Sequence, residues 1–418
     1  MRLRAQENPL ADTRPRLILA GILVLFFIAA AGSCFTLPDW QSSDEPFHYY
    51  YVKILLHEHR LPSHQETYQA AHPPVYYGLA ALWALPFKSA DAGFLDNWIR
   101  LLSVFLGLGT LGFVYLIGRD GTGSAWAGVC MAALVAGNPA FLALSSVVSN
   151  DSCVFFACAC AIWLMIKSAH SGGGVKSAAL CGLAAGLCCL TKISSTILIP
   201  FFFVYYCFHP DVRARGAVSA AAEFAMFCGA ALVLCSWWFI LGYLRIGDKV
   251  LFNPVSALNP NPLYIPENFL WFMKMNMLNF WLPMDYLRGG PAGAPMAIKA
   301  GYFGASCLGL LLVLRSAIRV FKQENPRARH LVAASAAACL VFLVQMCMFN
   351  MKVPVAQARY AFTILGPVTL LAAISLKDIA GKWFPHTTVA VAIAGLGMNM
   401  VWAFVCFAGM APLPFHIP

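Results

Sequence analysis

The sequence carries little charge for its length of 418 residues. Charged residues make up 11% of it and hydrophobic residues 60%, whereas soluble domains are about 25% charged. This shortage of charge excludes an ordinary soluble domain and predicts an all-α polytopic membrane protein. The net charge of +10 does not indicate nucleic-acid binding, because Lys and Arg fall in short loops and no basic stretch is interleaved with aromatics.

The sequence also lacks GxGxxG, Walker and kinase-like motifs, so no phosphate cradle for a nucleotide is expected. Its 15 cysteines lie almost all inside apolar runs and form no CxxC pair, which excludes zinc-cluster and disulfide chemistry from our expectations. No internal repeat and no soluble domain are visible. We therefore predict a single integral membrane domain over residues 1–418.

The distribution of Lys and Arg predicts about 11 transmembrane helices, with the N-terminus cytoplasmic and the C-terminus external. Residues 38–97 and 244–295 would form two long external loops, the first of which contains juxtamembrane helices. The apolar stretch Val75–Phe87 is too short to cross, and counting it as a crossing would place the most basic loop outside. Further crossings are predicted at about 98–118, 125–148, 178–190 and 218–243.

Two adjacent acids, Asp44 and Glu45, follow the first apolar run directly. One interpretation is a helix start, because Ser42 lies at the capping-box spacing from Glu45 and first-turn acids suit the helix dipole. The helix that follows is amphipathic and suited to the membrane interface. The other interpretation is a pair of catalytic acids at the mouth of a membrane cavity.

The promising polar residues all fall on the predicted external side, where no nucleotide is supplied. A group donor should therefore arrive through the lipid phase. The residues of interest are Asp44, Glu45, His48, His72, Tyr76, Asp151, Lys192, Arg288, Arg359 and Tyr360.

Several short motifs, in this order and on one side, resemble the C-type-fold (GT-C) membrane glycosyltransferases. They are Asp44-Glu45, His72-Pro73-Pro74-Val75-Tyr76-Tyr77, Trp98-Ile99-Arg100-Leu101, Ser149-Asn150-Asp151, Thr191-Lys192 and Gln357-Ala358-Arg359-Tyr360. The pattern is similar to the protein mannosyltransferases, to lipid A aminoarabinose transferase and to uncharacterised bacterial membrane proteins with Asp-Glu-Pro-x-His. It covers the first ~200 residues well and the remainder loosely.

The resemblance implies a GT-C-like helical bundle in a bacterial inner membrane that uses a polyprenyl-phosphate-linked sugar. The acceptor would be a glycan, a lipid or a protein on the external, periplasmic face, with membrane lipids as neighbours and no nucleic acid. Single displacement would invert the anomeric centre.

The resemblance also implies roles for individual residues. Asp44 would be the general base, Glu45 its supporting neighbour and Asp151 the second acid of the site. Lys192, Arg359 and Arg288 would bind the donor phosphate. The remaining positions are candidates for contacts with substrate, namely His48, His72, Tyr76 and Tyr360. A divalent metal ion held by Asp44 and His72 is left open, and no other cofactor is expected.

The sequence departs from the family at Phe47, where some relatives have an arginine. Structural interpretations remain beside each role. Asp151 could cap a helix, Lys192 could extend its amine to the interface, Arg359 could anchor the interface, and His72 could be a turn residue. His48 could pair with Glu45.

Two other functions compete with the enzyme. A lipid or lipid-linked glycan transporter (flippase) should show broken helices and charges near the bilayer midplane, often with repeats. The ionisable residues here lie at the ends of apolar runs instead, which favours the enzyme. A scaffold for membrane assembly would leave the crowding of external charges unexplained.

Overall fold

A computed structural model describes residues 13–38, 42, 44–246, 265–282, 295–320, 326–350 and 358–407. These residues form an all-helical bundle, and the described part contains no β-strand. The helices in chain order are α1 (Arg14–Thr36), α2 (Glu45–Glu58), α3 (Val75–Ala84), α4 (Ala92–Thr122), α5 (Ala125–Ala136), α6 (Pro139–Leu144), α7 (Asn150–His170), α8 (Val175–Cys189), α9 (Leu198–Phe202), α10 (Pro210–Arg213), α11 (Ala217–Ile246), α12 (Pro266–Asn279), α13 (Met296–Ile318), α14 (Pro326–Asn350), α15 (Leu365–Ala380) and α16 (Phe384–Phe407).

Seven helical segments of the described chain are long and apolar enough to cross a membrane. Shorter apolar helices accompany them at Val75–Phe87, Ala125–Ala136, Val175–Cys189 and Ile193–Cys207. The predicted polytopic helical architecture is thus confirmed, while the count of eleven crossings stays a prediction.

The predicted crossing at 125–148 is wrong as a single helix, because the chain breaks between α5 and α6. Gly137 lies against Gly395 of α16, at a point where a Cβ atom would be 2.5 Å from the Gly395 Cα atom. Asn138 then starts α6, since its side-chain oxygen accepts a hydrogen bond from Phe141 N at 3.0 Å. The break gives α6 its own direction.

The bounds of the crossing at 98–118 are also too narrow. Helix α4 begins at Ala92, where Asp91 caps it by accepting a hydrogen bond from Phe94 N, and it ends before Gly123 at φ 71°. The extra turns at its N-terminus carry Asp96, which the prediction had placed in the loop. In α8, Gly182 and Gly186 lie directly against the backbone of α11, a close approach that small residues allow.

Helix α2 departs from the prediction at its start. It begins at Glu45, but neither a Ser42 nor an Asp44 side chain caps it, and the Glu45 carboxylate binds Arg100, so the capping-box prediction is wrong. Most of the helix, including Tyr51 and Ile54, is buried against protein. The buried face packs against α3 and the turn Tyr68–Ala71, and the interfacial position of the helix stays a prediction.

Candidate active site

Asp44 lies at the start of α2, and each of its carboxylate oxygens has a partner from a distant segment. Tyr68, on the short 3₁₀ turn Tyr68–Ala71, donates its hydroxyl to Oδ1 at 2.9 Å. Arg359, on the 3₁₀ turn Ala358–Ile364, donates from Nη2 to Oδ2 at 2.8 Å. Because no cap uses this carboxylate, its partners are these two side chains and not the helix start.

Asp151 lies in the first turn of α7, but Ser149 caps that helix by accepting a hydrogen bond from Asp151 N at 3.2 Å. The structure thereby excludes the interpretation of Asp151 as the cap. Its carboxylate instead pairs with Lys192 through Oδ1 and lies 3.3 Å from Arg359 Nη1 through Oδ2. Lys192 lies three residues after the end of α8 at Cys189, so the pair joins the N-terminus of α7 to the segment that follows α8.

Arg359 connects the two acids, because its two terminal nitrogens reach Asp44 and Asp151. The Tyr360 ring lies beneath both cations, 5.1 Å from Lys192 Nζ and 5.8 Å from Arg359 Cζ. We call Asp44, Asp151, Lys192 and Arg359 the charged cluster. It contains two carboxylates and two cations, so its formal charge is balanced.

The charged cluster is largely closed to solvent. The side chains of Asp151, Lys192 and Arg359 are 2%, 9% and 10% exposed, while that of Asp44 is 22% exposed. Buried charges must be paired because isolated ones are strongly disfavoured in a low-dielectric surrounding. Asp44 is therefore the member of the cluster most open to a ligand.

Two histidines lie beside the charged cluster. His48 Nδ1 is 2.8 Å from the Tyr77 hydroxyl, and its ring stands 6.3 Å from that of His72 and 6.4 Å from that of Tyr76. The expected alternative of a His48–Glu45 pair is wrong, since the Glu45 carboxylate points elsewhere. His72, Tyr76 and His48 thus share one wall of the site.

The surroundings set the protonation of these groups. Burial raises the pKa of Asp44, but the charge of Arg359 and hydrogen bonds from Arg359 and Tyr68 outweigh it, and the pKa lies well below the usual range. Burial lowers the pKa of His48 to about 4 and that of His72 to about 3. At neutral pH Asp44 is ionised and both histidines are uncharged.

Glu45 turns away from the charged cluster into a second buried centre. Its two carboxylate oxygens accept from Nε and Nη2 of Arg100, each at 2.9 Å, and Oε1 also accepts from Val148 N at 2.8 Å. Asp96 Oδ2 lies 3.0 Å from Arg100 Nε. Arg100 donates further to the carbonyls of Cys34 and Leu37, both at 3.0 Å. This centre ties α1, α2, α4 and the segment before α7 together.

The described residues include nine of the ten predicted site residues. Eight of them lie in or beside the charged cluster, and Glu45 faces the neighbouring centre. Arg288 lies outside the described residues. The sequence reasoning missed Tyr68, Tyr77 and Asp96 and gave no role to Arg100. Arg100 was already visible in the motif Trp98-Ile99-Arg100-Leu101, and an arginine within an apolar run needs a partner.

The sequence left open a metal ion held by Asp44 and His72. Among the described residues, no group of three or more His, Cys, Asp or Glu side chains could hold a metal ion. Asp44 and Asp151 instead meet Arg359 and Lys192. The described residues around Asp44 and His72 therefore do not form a metal site, and no step below uses a metal ion.

Residues 89–251 match the protein-family model described as dolichyl-phosphate-mannose-protein mannosyltransferase, a segment shorter than half of the chain. It contains Asp151, Lys192 and Arg100 but not Asp44 or Arg359. A search of curated proteins found no match to the sequence.

Solved structures share the fold across nearly the whole chain. ArnT from Cupriavidus metallidurans bound to undecaprenyl phosphate is 15% identical, with a TM-score of 0.54 over 93% of this chain and 71% of that chain. The Archaeoglobus fulgidus oligosaccharyltransferase tethered with an acceptor peptide is 15% identical, with a TM-score of 0.55 over 92% of this chain and 54% of that chain. Archaeal oligosaccharyltransferase AglB from Archaeoglobus fulgidus, in complex with an inhibitory peptide and a dolichol-phosphate, is 14% identical, with a TM-score of 0.54 over 92% of this chain and 55% of that chain.

These similarities confirm the resemblance drawn from the sequence: the chain has the GT-C fold of membrane glycosyltransferases. The chain spans only about half the length of the archaeal oligosaccharyltransferase.

Proposed function

We propose that the protein is an integral membrane glycosyltransferase that moves a sugar from a polyprenyl-phosphate donor to an acceptor on the external face of a bacterial inner membrane. The observation that carries the proposal is the charged cluster itself. Two acids and two cations from four distant segments meet in a bundle with the GT-C fold. Such a set can supply both a base and a phosphate site.

The donor class is supported by the relatives with the same fold. ArnT was solved with undecaprenyl phosphate and AglB with dolichol-phosphate, both of which are polyprenyl phosphates. The donor's sugar and the acceptor, whether glycan, lipid or protein, are left open by the proposal.

Lys192 and Arg359 would bind the donor's phosphate. They are cations with little exposure, at helix ends, where the head group of a membrane lipid lies. An arginine can present two parallel N–H groups to a phosphate, and a lysine adds a point charge. Arg288, outside the described residues, remains a further candidate for this contact.

Asp44 would act as the base. Its Oδ2 would take the proton of the acceptor hydroxyl while the acceptor oxygen forms a bond to the anomeric carbon. The bond from that carbon to the phosphate oxygen breaks, and its electron pair leaves with the polyprenyl phosphate. Attack opposite the leaving group inverts the anomeric centre, and the cations stabilise the charge that develops on the phosphate.

Asp151 would hold Lys192 and Arg359 in place as the second acid, and Glu45 would support Asp44 by fixing the start of α2. The wall formed by His48, His72 and Tyr76 would contact the sugar or the acceptor with neutral side chains, because the pKa values of the histidines lie at about 4 and 3. Tyr360 would support the cations from below.

The first test measures binding of a short-chain polyprenyl phosphate to the purified full chain in nanodiscs. Arg359→Ala and Lys192→Ala should each weaken binding roughly 10- to 100-fold, since a hydrogen bond to a charged group contributes about 1.5–3 kcal/mol. Lys53→Ala is the matched control, because Lys53 is an exposed cation of α2 whose amine lies above the Tyr50 ring. Unchanged binding in both site variants would remove the phosphate assignment.

The second test measures transfer of radiolabelled sugar from polyprenyl phosphate to acceptors in host membranes. Asp44→Asn should lower turnover roughly 10²- to 10⁴-fold, the usual contribution of a positioned base, with donor binding retained. Transfer at the wild-type rate would refute Asp44 as the base. Donor binding without any transfer by the wild-type protein would favour the transporter alternative.

A further inference from the structure

The inference concerns the two partners of Asp44 and rests on the proposed function. Arg359 binds Oδ2 and Tyr68 binds Oδ1. The same guanidinium reaches Asp151 through Nη1. Both terminal nitrogens of Arg359 are therefore directed at carboxylates. A guanidinium has five N–H groups, and a phosphate that takes the N–H now directed at Asp44 displaces that carboxylate.

Tyr68 differs from Arg359 in where it is anchored. Its ring packs on Phe47 of α2 at a centroid distance of 4.6 Å. The turn that carries it is capped by Thr67, whose hydroxyl accepts a hydrogen bond from Gln69 N at 3.2 Å. Tyr68 is thus fixed to the helix that carries Asp44, and as a neutral phenol it has no charge that would draw it to an anion.

The geometry points to a carboxylate-for-phosphate exchange: the donor's phosphate takes Arg359 from Asp44, while Tyr68 keeps hold of Oδ1 and leaves Oδ2 directed at the acceptor hydroxyl. Tyr68 is then a positioning residue, because it acts through Asp44. The exchange makes Asp44 a competent base only when the donor is bound. Donor binding should therefore precede productive binding of the acceptor.

Several groups face Asp44 and titrate or carry charge near it. Arg359 and Tyr68 donate hydrogen bonds to it, whereas His48 and His72 interact with it by charge when they are protonated. Asp151 and Lys192 complete the surroundings through Arg359. Loss of the Arg359 contact removes the main influence that opposes burial, so the released carboxylate should bind a proton more readily.

Proton uptake on ligand binding tests the exchange without any catalysis. The probe is a short isoprenyl methyl phosphodiester, which carries one permanent negative charge and no second ionisation. Calorimetry in two buffers of different ionisation enthalpy counts the protons taken up. At pH about 5, near the ordinary carboxyl range, the wild-type protein should take up a fraction of a proton that Asp44→Asn does not.

The outcomes separate the two proposals. Binding with equal proton uptake in the wild-type and Asp44→Asn proteins would overturn the exchange and leave the phosphate site intact. Absence of binding would overturn the exchange and the phosphate site together. Uptake that disappears in Asp44→Asn supports both.

Tyr68→Phe tests the positioning role and keeps the ring that packs on Phe47. The released Asp44 should then take up more of a proton on binding the probe, and turnover should fall roughly 10-fold or more at unchanged donor affinity, because a hydrogen bond to a charged group is lost. Tyr50→Phe, a change of the same kind within α2, is the control. Proton uptake and turnover equal to those of Tyr50→Phe would refute the role of Tyr68.

Discussion

Replacement of Arg100 by methionine should destabilise the bundle more than any loss of a surface arginine. Arg100 is fully buried and holds Glu45 and Asp96, whose side chains are also 0% exposed. The substitution removes one positive charge from between two carboxylates. Methionine fills much of the volume but donates no hydrogen bond. Glu45 then keeps the Val148 N–H but loses both Arg100 hydrogen bonds, Asp96 loses this ion pair, and the Cys34 and Leu37 carbonyls lose the Arg100 donor.

The magnitude follows from the cost of a broken buried ion pair, about 3–5 kcal/mol when one partner is removed. For a chain of 418 residues, the average unfolding entropy of soluble proteins converts that energy into a fall of roughly 3–6 °C in unfolding temperature. Thermal unfolding of the detergent-solubilised protein measures it. Donor binding should fall as well, because Glu45 also holds the backbone N–H of Val148, three residues before Asp151.

Arg119→Met supplies the matched control on the same helix. Arg119 pairs with Asp120 at the surface, with side chains 43% and 25% exposed, and such pairs contribute about 0–1 kcal/mol. A fall in unfolding temperature for Arg100→Met no larger than that for Arg119→Met would refute the structural role of the buried centre.

Two further predictions concern pH and topology. Burial lowers the pKa of His48 to about 4, so between about pH 6.5 and 4 the unfolded chain binds a proton that the folded chain does not. The free energy of unfolding should therefore fall by up to ~1.4 kcal/mol per pH unit as the pH is lowered through this range. In His48→Gln the unfolding temperature should depend less on pH, and an unchanged slope would contradict the prediction. A reporter active only outside the cytoplasm should be active when fused after Pro418, and an inactive fusion there beside an active one after Phe87 would refute the predicted topology.

The sequence could predict which residues form the charged cluster, because this depends only on which ends of the apolar runs lie on the same side of the membrane. The Lys and Arg bias sets which ends of the apolar runs share one face of the membrane, and Asp44, Asp151, Lys192 and Arg359 all fall at such ends. The pairing within the cluster could not be predicted in this way. Arg359 is 315 residues from Asp44 along the chain, and no local pattern distinguishes it from an interfacial anchor.

The separate fates of Asp44 and Glu45 have a simple geometric cause. Consecutive residues at a helix start point about 100° apart, given 3.6 residues per turn. One side chain can therefore enter the protein while its neighbour faces the cavity. The sequence predicted that the two acids would not share one task, but the choice between them required the partner of each. Arg100 binds Glu45, whereas Arg359 and Tyr68 bind Asp44.

The capping box failed for a related reason. Ser42 and Glu45 have the right spacing, but a buried arginine is a stronger partner for a carboxylate than a helix-start amide. The Glu45 side chain therefore turns to Arg100. A local motif predicts the local bond only when no buried charge competes for it.

The position of the charged cluster also bears on the choice between enzyme and transporter. A transporter that carries an anionic lipid head group through the bundle needs polar groups along the path, and transport folds place them near the bilayer midplane. Here the four charges lie at helix ends, namely the start of α2, the start of α7, the residue stretch after α8 and the turn before α15. They can bind a head group that the membrane surface delivers, and beyond them the largest apolar core packs around Phe141, Phe155 and Phe362. Charges at helix ends that are followed by a packed apolar core suit chemistry on a lipid that remains in its leaflet.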